Sequence, residues 1–334
     1  MGKFFLIINI FASVICSFFV YSEEDFKVIV LGCGGGAKES NISGYLLAPK
    51  ESNEFVALDA GSLLSGIYLA NQNQCFQEIK ENPESVFEKE LEIFRHHVKA
   101  YLISHAHLDH VAGLVINSTE DIPKPIFGID SVIDFFRDHL FNGNIWPNFG
   151  SEGASFKINQ YQYQRLQLEK KIAISDTNMF VEPFLLSHPG NYESTAFLIE
   201  SSGSYVVYFG DTAPDVLEKK KHMDKVWQRV VPLVLEKKLK GVFLECSYLD
   251  KSKNQLFGHL DAKHMIEELE HFANLVDPIY PKKALQGLKV VVVHMKDSFL
   301  KNKSAKDEIA KELEKLNDFG IVFVFPSQGE KFYL

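Results

Sequence analysis

Ser104-His105-Ala106-His107-Leu108-Asp109-His110 places three imidazoles and one carboxylate within six consecutive residues. It follows directly on the apolar run Val98-Lys99-Ala100-Tyr101-Leu102-Ile103, which reads as a strand. Histidine normally appears singly and aspartate seldom ends a buried strand, so packing and solubility do not account for this density of ligating side chains. On an extended segment His105 and His107 are alternate residues that point the same way, while Asp109 and His110 follow as the chain turns towards a helix expected to begin near Val111. Two pairs of ligands therefore face two neighbouring sites. Gly113 lets the start of that helix approach the cluster closely. A polar loop at a strand end is the weaker reading.

Three further candidates sit at strand ends downstream. His188, in Leu186-Ser187-His188-Pro189-Gly190, and His294, in Val292-Val293-His294-Met295-Lys296, each follow an apolar run that needs no polar side chain. Asp211, in Phe209-Gly210-Asp211-Thr212, is a carboxylate after a glycine turn, and its two oxygens can bridge two cations. Any one of these alone would more often be a hydrogen-bonded histidine or a turn aspartate. Together with the first cluster they complete seven ligands: His105, His107, Asp109, His110, His188, Asp211 and His294.

Short runs rich in Val, Ile, Leu and Phe recur at 26–31, 44–48, 55–58, 98–103, 183–186, 195–199, 205–209, 241–244, 289–293 and 321–325. Amphipathic helical stretches lie between several of them, at 131–141, 262–275 and 305–316. The class is α/β. The runs at 195–199 and 205–209, joined across Ser201-Ser202-Gly203-Ser204, predict an antiparallel hairpin that a purely parallel doubly wound sheet would not contain. Two mixed sheets between helix layers suit the pattern better. At 334 residues the chain can form one large layered domain, and no linker divides it.

The formal net charge of −9 argues against a nucleic-acid partner, since wrapping phosphates needs a basic footprint. Residues 1–22 read as one lysine, a long apolar run and Val20-Tyr21-Ser22 before the acidic Glu23-Glu24-Asp25. This is the pattern of an export signal cleaved after Ser22, leaving 23–334 as a periplasmic or secreted domain without a membrane segment. A retained membrane anchor is the rival reading, weakened by Asn9, Ser13 and Ser17. Cys33, Cys75 and Cys246 remain after cleavage, an odd set without paired spacing, and are expected to be buried small hydrophobes.

The wider pattern resembles the class II 3′,5′-cyclic-nucleotide phosphodiesterases, which have the metallo-β-lactamase fold. It runs through Asn41-Ile42-Ser43-Gly44-Tyr45-Leu46-Leu47, Leu58-Asp59-Ala60-Gly61-Ser62, the His105 to Leu114 stretch, Ser187-His188-Pro189-Gly190, Glu245-Cys246-Ser247-Tyr248 and Phe257-Gly258-His259-Leu260. The stretches 73–97 and 117–168 carry no mark of the family, which leaves the base pocket unread. The resemblance implies an αββα sandwich in which His105, His107 and His188 hold one metal, Asp109, His110 and His294 a second, and Asp211 bridges them. It implies hydrolysis of cyclic AMP, with cyclic GMP as a second substrate, to the nucleoside 5′-monophosphate by a hydroxide activated between two divalent ions. Zn²⁺ is the first expectation from the nitrogen-rich ligands, with Mn²⁺ or Fe²⁺ allowed by the shared carboxylate.

Asp109 is expected to handle a proton as well as a metal. His259 is expected to act as a catalytic residue, contacting phosphate or donating a proton; a capping or supporting histidine is the alternative. Asp59 either orients a ligating histidine or caps a turn, with Ser62 beside it. The Gly32-Cys33-Gly34-Gly35-Gly36 loop lacks the Lys-Ser/Thr of a phosphate-binding loop and reads as a turn near the site. Ile145-Trp146-Pro147-Asn148-Phe149 reads as a hydrophobic loop before it reads as a purine stack. The enzymatic alternatives are other hydrolases of the fold: a tRNA 3′-processing nuclease, disfavoured by acidity and export, or a lactonase or β-lactamase acting on a carbonyl. A non-catalytic metal-binding module is disfavoured because all seven ligand positions are filled. The partner is a small-molecule cyclic nucleotide, and the sequence leaves the oligomeric state open, a homodimer included.

Overall fold

Along the run Ser204–Phe209, Val206 and Tyr208 pack into one hydrophobic core while Val207 and Phe209 pack into another. Side chains on a strand alternate between its faces, so a strand that is apolar at every position must be covered on both sides. The same alternation holds for its neighbours: Phe243, Val291 and Val293 join the first core, and Val242, Leu244, Val290 and Val292 the second. One face of this sheet therefore meets another sheet, and the other face meets helices.

The structure, a computed structural model, describes residues 24–190, 192–251 and 255–334. The first sheet contains β1 (Phe26–Gly32), β2 (Gly44–Pro49), β3 (Phe55–Leu58), β4 (Val98–Leu102), β5 (Lys124–Gly128), β6 (Asn148–Gly150), β7 (Lys157–Arg165) and the C-terminal β15 (Lys331–Tyr333). Its order is β15-β1-β2-β3-β4-β5-β7-β6, antiparallel from β15 to β3 and parallel from β3 onwards. The second contains β8 (Ile172–Ile174), β9 (Met179–Ser187), β10 (Glu193–Ser201), β11 (Ser204–Phe209), β12 (Leu239–Glu245), β13 (Lys289–Val293) and β14 (Val322–Val324). Its order is β14-β13-β12-β11-β10-β9-β8, parallel from β14 to β11 and antiparallel from β11 to β8. The expected hairpin is β10–β11, with Ala196 opposite Phe209 and Ser201 opposite Ser204.

Helices Leu64–Gln72, Leu108–Asn117 and Asp130–Phe135 bring Ile67, Val111, Leu114 and Ile133 to the core of the first sheet. Helices His222–Leu235 and Ala262–Val276 cover the outer face of the second with Val226, Trp227, Met265 and Phe272. Full burial of such side chains contributes about 1.5–3 kcal/mol each, so this outer layer adds to the hold on the second sheet. Cys33, Cys75 and Cys246 are all buried and free, as their spacing led one to expect. Among the described residues no helix is long and apolar enough to cross a membrane. The N-terminal segment 1–22 lies outside the described residues.

Candidate metal centre

Six residues of the candidate centre and its supports stand at or just beyond the C-terminal end of a strand. Asp59 follows β3, His105 lies shortly after β4, His188 follows β9, Asp211 lies shortly after β11, Glu245 ends β12, and His294 follows β13. Two successive antiparallel pairings make β9 run in the direction of β11, β12 and β13, and β3 is parallel to β4. The ends of these strands thus share one edge of the sandwich, which is where residues far apart in sequence come together.

The helix carrying Asp109 and His110 begins at Leu108 rather than near Val111. His107 is extended (φ −66°, ψ 150°) and precedes the first turn, so Asp109 and His110 project from the first helical turn rather than from a loop. Gly113 makes this possible. A Cβ there would stand 2.7 Å from the Gly61 carbonyl oxygen, and the Gly113 N–H donates to that same oxygen at 2.8 Å. Asp59 and His294 both take positive φ, 54° and 57°, a conformation costing non-glycine residues about 1–3 kcal/mol and tolerated where surrounding contacts fix it.

Those contacts also fix which nitrogen of each imidazole is left to ligate. His110 Nδ1 donates to Asp59 Oδ2 at 2.7 Å. The Ser104 hydroxyl donates to Asp59 at 2.7 Å and therefore accepts from His105 Nδ1 at 3.0 Å. His188 Nδ1 donates to the Gly258 carbonyl at 3.0 Å. The Ser247 hydroxyl donates to Glu245 Oε2 at 2.6 Å and accepts from His294 Nδ1 at 2.9 Å. In all four rings Nε2 is left as the lone-pair nitrogen of the neutral tautomer.

Those lone pairs converge. His105 Nε2 and His188 Nε2 lie 3.1 and 3.3 Å from His107 Nδ1. His294 Nε2 is 3.2 Å from Asp109 Oδ2, and Asp211 Oδ2 lies 3.2 Å from His294 Nε2, 3.3 Å from His110 Nε2 and 3.8 Å from His105 Nε2. His110 Nε2 is buried and has no hydrogen-bond partner although Asp211 is beside it. Two acceptors facing each other in a buried space repel unless a proton or a cation lies between them. His105, His107 and His188 form one group able to hold a cation, Asp109, His110 and His294 another, and one oxygen of Asp211 stands between the two.

The electrostatics agree. Burial works against a charged His110, but the carboxylates of Asp211 and Asp59 outweigh it and lift its pKa well above the ordinary value, so without a cation a proton sits on Nε2 facing Asp211, and a bound cation would take that proton's place. Burial likewise opposes ionisation of Asp211, yet His294 and His110 hold that carboxyl well below its usual range. For His188 burial prevails and pushes the pKa down to about 4, so its imidazole is neutral and available to a metal at neutral pH.

His259 stands one layer behind. Its Nδ1 donates to Glu245 at 3.1 Å and is 3.5 Å from Asp211, while its ring stacks on His294. Burial lowers its affinity for a proton, but Glu245 and Asp211 raise it by more. Asp211, Glu245, His259 and His294 also lie close enough to hold an ion. The oxygens of Glu245 already accept from Thr212 N at 2.7 Å and from Ser247, which leaves it better suited to orient its neighbours than to ligate.

The seven expected ligands and His259 are all brought together. Asp59 follows the first of its two readings: it accepts from Ser104 N, Ser104 Oγ, His110 and Tyr208 OH, each at 2.7 Å. Ser62 does not share that role, since its hydroxyl accepts from Ile42 N at 3.0 Å. Ser104, Ser247, Tyr208 and Tyr192 were missed. Tyr192 stacks on the His107 ring at 4.5 Å and is itself stacked by Phe135. Single hydroxyls at strand ends carry no spacing signal by which they could be found. Trp146 donates to Ser118 Oγ at 3.0 Å and Phe149 is buried, so their segment is the hydrophobic loop it reads as.

Comparison with known families settles the kinship, for residues 25–329 match the class-II cAMP phosphodiesterases. The chain belongs to this family. It is 36% identical over 317 residues to a 3′,5′-cyclic-nucleotide phosphodiesterase of Aliivibrio fischeri, covering 94% of this chain and 95% of that one. It is 29% identical over 314 residues to a 3′,5′-cyclic-nucleotide phosphodiesterase of Schizosaccharomyces pombe, covering 88% of each. The crystal structure of unliganded yeast PDE1 superimposes with a TM-score of 0.82 at 24% identity, over 93% of this chain and 100% of that one. YhfI of Bacillus subtilis, a metallo-β-lactamase fold protein, does so at 0.58 and 18%, over 93% and 100%. A member of the class-II cAMP phosphodiesterases with the metallo-β-lactamase fold, the protein is a cyclic-nucleotide phosphodiesterase.

Proposed function

We propose that the protein hydrolyses 3′,5′-cyclic AMP, and cyclic GMP as a second substrate, to the nucleoside 5′-monophosphate at a site for two divalent cations. The observation that carries this reading is the buried convergence of Nε2 lone pairs from His105, His110, His188 and His294 around His107, Asp109 and Asp211. His105, His107 and His188 would hold one ion, Asp109, His110 and His294 the other, and Asp211 would bridge them. Zn²⁺ fits this donor set first, with Mn²⁺ or Fe²⁺ allowed by the carboxylates. Bound divalent ions supply Lewis acidity, lowering the pKa of water and neutralising phosphoryl charge.

The chain's own groups do the rest. Asp59, Ser104, Gly258 and Ser247 fix the ligating tautomers, so the Nε2 lone pairs are oriented before any ligand arrives. Asp109, more accessible than Asp211, accepts a proton from the attacking water through its carboxylate. His259, held by Glu245 through Nδ1, donates a proton from Nε2 to the departing 3′-oxygen. Attack by water at phosphorus breaks the P–O3′ bond and leaves a 5′-phosphomonoester. Residues 1–22 read as an export signal cleaved after Ser22, which would make the mature enzyme periplasmic or secreted.

Product analysis tests this. Purified protein should convert cyclic AMP to 5′-AMP, and activity should vanish on chelation and return with Zn²⁺ or Mn²⁺. His259→Ala should lower turnover by about 10²-fold with metal content kept. Loss of bound metal in that variant would instead make His259 a ligand.

A further inference from the structure

One residue beyond His294 the chain forms the wall of a cleft of about 310 Å³, lined by the Gly34 to Gly36 turn, Asn41, Tyr248, Lys296 and Phe299. That volume is at the lower end of small-molecule pockets, about 300–1,000 Å³, which suits a nucleoside and not a macromolecular segment. Both walls grow out of the metal-centre scaffold. Gly35 N donates to Met295 O at 3.2 Å, and a Cβ on Gly35 would stand 2.6 Å from the His294 ring, so the turn lies flat against that imidazole. Tyr248 follows Ser247, whose hydroxyl orients His294, and its ring meets the His259 ring edge-on at 6.1 Å.

Two polar groups in the cleft, the Asn41 amide nitrogen and the Lys296 ammonium, are not spent elsewhere among the described residues. Asn41 Oδ1 accepts from Cys33 N at 3.0 Å, which fixes the amide and makes Nδ2 the donor turned towards the turn. No hydrogen bond from Nδ2 is formed among the described residues. Lys296 likewise has no ion pair among them, whereas Lys38 across the cleft is held by Asp297 at 2.9 Å. Phe299 is 66% exposed at the mouth of the cleft, and the Lys38 ammonium lies 5.9 Å from its ring centre.

We propose that this cleft is the nucleoside subsite, in which Phe299 and Tyr248 form apolar walls for a purine, Asn41 Nδ2 donates to it, and Lys296 faces the phosphate. The assignment rests on the cyclic-nucleotide reading given above. An amide donor meets the N7 acceptor that adenine and guanine share, so it does not discriminate between them, while a pyrimidine offers no such atom. Cyclic AMP and cyclic GMP are therefore bound alike through this contact.

The test compares kcat/KM for cyclic AMP and cyclic GMP with that for bis(p-nitrophenyl) phosphate, which has neither ribose nor base. Phe299→Ala should lower the ratio of cyclic-nucleotide to bis(p-nitrophenyl) phosphate efficiency about tenfold through KM, the usual scale for losing one base–aromatic stack. Asn41→Ala should lower it for both purines together. Ile279→Ala serves as control: it is 75% exposed and precedes β13, at the end of that strand away from His294. Its ratio should stay at the wild-type value, and an equal fall there would overturn the assignment. A wild-type ratio in both Phe299→Ala and Asn41→Ala, with cyclic nucleotides still cleaved, would overturn the subsite alone. A wild-type enzyme that cleaves bis(p-nitrophenyl) phosphate and no cyclic nucleotide would overturn the substrate reading and the subsite with it.

Discussion

Asp59 has no solvent exposure and no metal-directed oxygen, yet four donors converge on it from Ser104, His110 and Tyr208. A buried carboxylate survives only when its hydrogen bonds replace hydration, and here the same bonds set the tautomer of His110 and, through Ser104, that of His105. Glu245 does the equivalent on the other side, linking Thr212, Ser247 and His259. Asp59→Asn replaces one acceptor oxygen by a donor amide facing His110 Nδ1–H and Tyr208. It should weaken metal affinity about 10–100-fold, read by competition with a chromogenic chelator. Affinity equal to that of the wild type would mean that the imidazoles are oriented by packing alone. The seven candidate ligands were legible from sequence as a group because so many ionisable side chains at and just past apolar strand ends have no packing explanation, and the fold brings them together. Ser104 and Ser247 were not, because a serine after a strand is ordinary until its hydroxyl is seen to lie between an acid and an imidazole.

At the scale of elements, the helix Leu108–Asn117 delivers two of the candidate ligands, and its closeness to the loop after β3 depends on Gly113 and Gly61. Gly113→Ala puts a methyl 2.7 Å from a backbone oxygen that cannot swing aside. We expect it to cost about 2 kcal/mol, seen in chemical denaturation, and to lower metal occupancy because Asp109 and His110 move with the helix. The outer layer has its own dependence on pH. Glu268 accepts from Trp227 Nε1 and Asp215 N, joining the two covering helices, and burial raises its pKa above the usual 4.5. A carboxyl whose pKa is higher in the folded state contributes stability fully below the unfolded value and loses it as pH rises through the folded one. Stability should therefore decline as pH climbs above about 4.5, and Glu268→Gln should flatten that decline in urea titrations at stepped pH. The strand β7 went unread because Lys-Ile-Asn-Gln-Tyr-Gln-Tyr-Gln-Arg has few apolar residues, and only Tyr161 and Tyr163 are buried. Periodicity shows a strand through the contrast between its faces, and here the buried face is two phenols.

Across the whole molecule, the candidate ligands come from both sheets, so cations bound among them would cross-link the two. Removing divalent ions would leave buried lone pairs facing one another at 3.1 to 3.3 Å. Chelation should lower the melting temperature by about 5 °C and metal should restore it, following the linkage between ligand binding and folding. An unchanged melting temperature would mean that the ions bind the folded and unfolded chain alike.

From the order of its residues alone, the chain declared an α/β sandwich and seven candidate ligands, because face alternation and an excess of ionisable groups at and just past strand ends are local properties. The tertiary structure decided which nitrogen of four imidazoles is left facing the candidate centre, what stands behind it, and that the glycine-rich turn walls a cleft beside His294. Those facts depend on hydrogen bonds between residues as far apart as Asp59 and Tyr208, and such distances are set only when two sheets pack together.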